Sequence, residues 1–227
     1  MTLYLSKLRI SRHPQVSALN ALLDPQETAS RMDAHHRLLW SVFAGDPAQR
    51  RDFLWREDAK GTFLVLSARP PQESPFFEPS QTRPFVPELT SGDRLAFSLR
   101  ANATRTEKTG VASANGHEKK RHVDLVMDRL PPRGQRAEAR MDKAQQVAQE
   151  WMAKQGARNG FCLDEVSTHD YSVVAFASSE RGKPRFGVLE MTGVLTVTEP
   201  TLLLERIASG FGRAKAFGCG LMLIRRA

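Results

Sequence analysis

The chain predicts an α+β protein built of two tandem units, each an antiparallel sheet backed by helices. Three observations carry that prediction. Its 227 residues suffice for two units of roughly 100 residues each. A hydrophobic fraction of 41% is ample for packed cores. Short segments of two-residue apolar period alternate with helical periodicity in both halves, the order of ferredoxin-like (RRM-like) units.

The elements follow in order. Residues 2–12, TLYLSKLRISR, set Leu3, Leu5, Leu8 and Ile10 close to a two-residue period, with Lys7, Arg9 and Arg12 between them. That is a half-buried strand with one basic face. The segment LLDPQETASRMDAHHRLLWSVFAGDP then predicts a helix with Asp24 as its cap, Pro25 at the first helical position and Glu27 in the first turn. Met32, His36, Leu39 and Phe43 recur at helical spacing, and Gly45 with Pro47 stops the helix. RDFLWRED (51–58) and GTFLVLSARP (61–70) predict a hairpin. The Pro-rich stretch up to Asp93 reads as a long surface loop that replaces a second helix. RLAFSLRANATRT (94–106) returns to alternation and closes the first unit.

EKTGVASANGHEKKR (107–121) is polar and reads as a linker or mobile loop. The expected domains are therefore 1–110 and 111–227. The second opens with a helix from about Glu138 to Gln155, with Val147, Ala148, Trp151 and Met152 on its apolar face, ended by Gly156. Two strands, DYSVVAFAS and RFGVLEMTGVLTVTEP, are joined by SERGKP. A helix from Pro200 and a last strand, Leu221–Arg226, complete the unit.

A net charge of +8 favours a polyanionic partner, nucleic acid before an anionic membrane surface. Cys162 and Cys219 stand alone, which excludes a zinc finger or disulfide framework and suits a reducing compartment. No apolar run approaches the ~18 residues of a membrane span, and the N-terminus reads as a strand. A cytoplasmic protein without membrane association is expected. No carboxylate cluster has metal-ligand spacing and no Ser-His-Asp pattern is visible, so neither metal nor cofactor is expected.

The terminal stretch SGFGRAKAFGCGLMLIRRA sets Gly210, Gly212, Gly218 and Gly220 around Phe211, Arg213, Lys215 and Phe217. Such a segment either brings backbone N–H groups and basic side chains to an anion or makes a tight turn in a sheet. Its spacing is neither the Walker nor the dinucleotide pattern. Phe211 and Phe217 either stack on bases or pack in the core.

Four features, LYLSKLRI, HHRLLWSVF followed by RRDFLW, FSLRANATRT and GFGRAKAFGCGLM, occur in that order. Together they resemble the CasE family, the repeat-cleaving endoribonucleases of type I-E CRISPR systems. The resemblance covers most of the chain and implies two tandem ferredoxin-like domains. It further implies binding of the stem-loop of CRISPR precursor RNA and metal-independent cutting at the stem base to a 2′,3′-cyclic phosphate. Retention of the product within Cascade, beside its other subunits, is implied as well.

Such cleavage uses the 2′-hydroxyl as an internal nucleophile and asks the enzyme for proton transfer and charge stabilisation. A histidine suits the first task, with an ordinary pKa of ~6.5. Helical spacing alone leaves His35 and His36 open. The resemblance places the catalytic histidine four residues before the tryptophan, which selects His36. Family members carry a tyrosine three residues before it, where this chain has Asp33. Asp33 either orients the imidazole as a second catalytic residue or pairs with Arg37. Candidate RNA contacts are Arg100, Asn102 and Arg105 in the RAN segment and Arg181, Lys183 and Arg185 at a hairpin tip. Arg213 and Lys215 join them among the terminal glycines.

Overall fold

The computed structural model describes residues 2–45, 49–112, 116, 118–132, 134–176 and 185–227. Strand β1 (Leu3–Arg9) leads through two helical turns, α1 (Pro14–Ser17) and α2 (Asn20–Leu23), into helix α3 (Thr28–Trp40). The hairpin β2 (Phe53–Ala59) and β3 (Thr62–Ser67) follows, then β4 (Gln81–Phe85). These strands form an antiparallel sheet in the order β2-β3-β1-β4.

The rest comprises β5 (Arg94–Ala101), a hairpin of β6 (Thr104–Ala112) and β7 (Glu118–Asp124), and helices α4 (Leu125–Arg129) and α5 (Arg136–Asn159). Strands β8 (Phe161–Ala175) and β9 (Arg185–Val197), helix α6 (Pro200–Ser209), a 3-10 turn at Lys215–Phe217 and β10 (Met222–Arg226) complete it. The second sheet is also antiparallel, in the order β10-β5-β9-β8. Numbered within its own unit, each sheet has the same order, since 2-3-1-4 read from the other edge is 4-1-3-2. The fold is α+β, two ferredoxin-like units in tandem, and only the second keeps both its long helices.

The structure corrects several element readings. Residues 94–101 do not close the first unit: β5 pairs with β9 and β10 and is the first strand of the second unit. Its apolar face, Leu95, Phe97, Leu99 and Ala101, is wholly buried in the second core. The missing fourth strand of the first unit is β4, inside the Pro-rich stretch. Pro84 is tolerated there because β4 is an edge strand, paired only with β1. The sheets thus divide between Phe85 and Arg94, upstream of the boundary expected at residue 110. Much of the supposed linker 107–121 lies in the β6–β7 hairpin, whose faces are charged rather than apolar.

Two helix ends also move. Glu27, not Asp24, caps α3: its carboxylate accepts from the N–H groups of Ala29 (3.0 Å) and Ser30 (2.6 Å). Helix α5 runs past Gly156 to Asn159 and is closed by Gly160 in the left-handed region.

Sheet one is packed on one face by α3 and the turn after it, where Leu38, Leu39, Val42 and Phe43 meet Phe53, Trp55, Phe63 and Val65. Its other face sends Leu54 and Leu66 into the large core of the second unit. A smaller cluster joins Ala29 and Met32 of α3 to Val174, Val188 and Cys219. The first long helix is thereby docked on the second sheet. No helix among the described residues is long and apolar enough to cross a membrane.

Candidate functional site

Consecutive histidines on a helix point about 100° apart, and here the two have separate environments. His35 is only 1% exposed. Its Nε2 lies 3.1 Å from Asp24 Oδ1, its Nδ1 3.9 Å from Glu57 Oε2, and its ring meets the Phe63 edge at 4.8 Å. Burial pushes its pKa down while Glu57 and Asp24 pull it back up. Donor atoms of Asp24, His35 and Glu57 lie within 4.8 Å of one another, the one group of metal-type donors among the described residues. The Lys60 ammonium, 3.7 Å from Asp24 Oδ2, already supplies a cation there. His35 is a buried structural residue.

His36 is half-buried beneath aromatic rings. The Trp40 indole N–H donates to its Nε2 at 3.1 Å. Ring centroids of Trp40, Phe53 and Phe217 stand 6.4, 6.4 and 6.5 Å away. Burial first, then the charges of Arg51 and Arg37, hold its pKa below the ordinary value, against the pull of Asp33. Asp33 itself is ion-paired with Arg37 one turn on, so its carboxylate reaches His36 through its field only.

The glycine segment carries the other half of the site. It is a packed turn wedged between the units. Gly210 has φ 78°, and a Cβ there would lie 2.8 Å from the Leu54 methyl carbons. Gly212 has φ 69°, and a Cβ would lie 2.6 Å from the Asn102 carbonyl oxygen. Gly210, Gly218 and Gly220 are buried, so their backbone is covered by protein rather than offered to an anion. That corrects the anion reading for these three; Gly212 is half-buried. Phe211 is fully buried beside Phe161. Phe217 stacks on Phe186 at 5.5 Å and faces His36.

The turn brings Lys215 to the same place. Its Nζ donates to the Ser209 carbonyl at 2.5 Å. Burial and the nearby Arg206 and Arg51 lower its pKa. Arg51, half-buried itself, is felt at both His36 and Lys215. A guanidinium from the segment before β2 therefore acts electrostatically on both the imidazole from α3 and the ammonium from the glycine turn. Sequence reasoning missed Arg51. It lies within the RRDFLW motif, and nothing in the motif singles it out.

The remaining candidates divide. Arg100 is bound to Glu190 at 2.8 Å with its side chain 22% exposed, beside Arg56 of the first sheet. Asn102 is 3% exposed and spends its amide on Gly187 O (2.8 Å) and Asp124 Oδ2 (3.3 Å). The structure thus corrects Asn102 to a fold residue, with no face for RNA. Arg105 is ion-paired with Glu107 (2.7 Å) and Asp128 (2.9 Å). Arg185 is exposed at the start of β9, whereas Arg181 and Lys183 lie outside the described residues. Arg213 is exposed and depresses the pKa of His122 together with Lys120, though the first cause there is burial. The exposed run Lys119, Lys120, Arg121 and His122 on β7 makes a basic surface that the linker reading passed over.

Comparison with known proteins gives a coherent set of likenesses. The CRISPR system Cascade subunit CasE of Escherichia coli K12 is 27% identical over 195 residues, covering 82% of this chain and 88% of that protein. The crystal structure of the CRISPR-associated protein Cas6e from Escherichia coli K-12 superposes with a TM-score of 0.63, 23% identity and coverage of 99% and 100% of the two chains. Thermus thermophilus Cse3 bound to an RNA representing a pre-cleavage complex gives 0.66, 20% identity and coverage of 99% and 100%. A family profile described as CRISPR associated protein matches residues 3–226, nearly the whole chain. Similar over most of its length to the Cascade subunit CasE, whose family its sequence motifs resemble, the chain belongs to the CRISPR associated protein family.

Proposed function

We propose that this protein is a metal-independent endoribonuclease of the cytoplasm that matures CRISPR precursor RNA. It grips the repeat stem-loop, cuts at the stem base and stays on the guide RNA within Cascade. The observation that carries this reading is that the Arg51 charge reaches both half-buried His36 and half-buried Lys215, with Phe217 of the glycine turn 6.5 Å from the imidazole. Similar folds belong to CRISPR endoribonuclease Cse3, captured with a 19 nt RNA, and to a CRISPR RNA-guided surveillance complex.

In the proposed reaction the 2′-oxygen attacks the adjacent phosphorus. Its proton passes to His36 Nε2, the P–O5′ bond breaks, and the departing 5′-oxygen takes a proton from water; His36 then returns its own to solvent. Arg51 and Lys215 stabilise the charge that gathers on the phosphoryl oxygens. Arg213, Arg185 and the basic run on β7 hold the stem by its phosphates. Asp33 tunes the His36 field rather than touching the RNA. The units we assign to these tasks divide between Phe85 and Arg94.

One observation favours a second reading, a non-cleaving RNA-binding subunit: Asp33 stands in the tyrosine position and is tied to Arg37. Incubation with a repeat hairpin in EDTA separates the two. Cleavage to a cyclic phosphate is expected. His36→Ala is expected to abolish cutting while RNA affinity stays within a few-fold, because phosphate contacts dominate binding. Intact, tightly bound hairpin with the unmutated protein would favour the second reading, and undiminished cutting by His36→Ala would remove His36 from the mechanism.

A further inference from the structure

The His36–Trp40 contact has a direction. An indole nitrogen is a donor only, so the 3.1 Å bond makes His36 Nε2 an acceptor. A neutral imidazole that accepts at Nε2 carries its proton on Nδ1. An imidazolium, with protons on both nitrogens, would set two donors against each other there. The residues sit one turn apart on α3, so the bond is built into the helix that presents the histidine. Phe53 stands on both rings, 5.3 Å from Trp40 and 6.4 Å from His36, and limits how either can turn.

We infer that Trp40 is a positioning residue that holds His36 in the Nδ1–H tautomer and keeps the Nε2 lone pair unprotonated until a hydroxyl donor replaces the indole. The indole occupies the place that the attacking 2′-hydroxyl takes in the proposed reaction. Substrate entry therefore exchanges one donor for another at the same nitrogen. Burial and Arg51 act on His36 in the same sense, against its protonation. The inference rests on the proposed role of His36, and adds the residue that prepares it.

The test uses the full chain with and without Trp40→Phe, which keeps a ring and deletes the N–H. Long-range proton–nitrogen NMR on the free protein reads which His36 nitrogen bears the proton. The unmutated protein should show the proton on Nδ1, and Trp40→Phe should shift the population toward Nε2–H. In single-turnover cleavage at sub-saturating protein, where the pH profile reports the free protein, the acid limb should move upward in Trp40→Phe by roughly half a unit to one unit, the effect of one neutral hydrogen bond. A proton on Nε2 in the unmutated protein overturns the inference without any variant. So does an unmoved tautomer and acid limb in Trp40→Phe. Either failure, with His36→Ala still silent, leaves the proposed function standing; cutting by His36→Ala would overturn that function instead.

Discussion

At the scale of single residues, two neighbours of one type have different fates because one helical step separates a buried position from a half-buried one. Helical period could not rank His35 and His36, since their faces overlap in sequence. Packing ranks them: His35 is enclosed by Asp24, Glu57 and Phe63, and His36 opens toward the glycine turn. Arg51 was illegible for a related reason, since its partners are distant in the chain and only tertiary structure brings it to His36. Its charge and the ring's burial hold His36 below the ordinary pKa of ~6.5, so the imidazole is a neutral base at pH 7. The unfolded chain takes up this proton first as pH falls. The contribution of His36 to stability is thus full above about pH 6.5 and is lost as pH drops toward the folded value. Arg51→Ala should raise the His36 pKa and move the acid limb of cleavage to higher pH. It should also slow cutting about a hundredfold across the profile, as loss of a charge-stabilising donor does. Single-turnover rates between pH 5 and 8 check both; an unmoved limb with an unchanged rate would exclude Arg51 from the site.

At the scale of elements, the sequence showed those strands that bury an apolar face and hid those that do not. β2, β3 and β5 announce themselves by apolar residues that the structure buries, and β1 by an apolar alternation of which only Leu8 is fully buried. β4 lies behind prolines, which an edge strand accepts and a central one does not. The β6–β7 hairpin has charged faces and is held by cross-strand pairs such as Lys108–Glu118 (3.4 Å) and Arg121–Glu107 (3.6 Å). Its polar composition therefore reads as linker although it is regular structure. An exposed basic ribbon beside Arg213 has the charge to follow an RNA backbone. Replacing Lys119, Lys120 and Arg121 together by alanine should weaken hairpin RNA binding. It should also flatten the plot of log affinity against log salt, by roughly 0.7–0.9 for each phosphate left without its cation. Titrations at several salt concentrations measure the slope; an unchanged slope would mean the ribbon points away from the RNA.

At the scale of the molecule, one hidden strand displaced the whole division. With β4 hidden behind prolines, the sequence of the first unit shows only three strands before β5, which then stands in the place of the fourth. The repeated topology was legible because each unit follows one order; the boundary was not, because it depends on which sheet a strand joins. The units are also less separate than two domains on a linker. Leu54 and Leu66 of sheet one lie in the second core, and Ala29 and Met32 of α3 pack on Val174, Val188 and Cys219. The joint passes through the site itself, since α3 carries His36 and the glycine turn carries Lys215 and Phe217. Stability and the geometry of the candidate site are therefore coupled. Met32→Ala, a buried truncation at that joint, should cost about 2–5 kcal/mol and lower the cleavage rate although Met32 touches no RNA. Because sheet one supplies residues to both cores, the loss should appear as an earlier but still single unfolding transition, with fluorescence and circular dichroism coincident. Two separated transitions, or a destabilised variant that cuts at the unmutated rate, would show that the first helix holds its histidine in place without help from the second sheet.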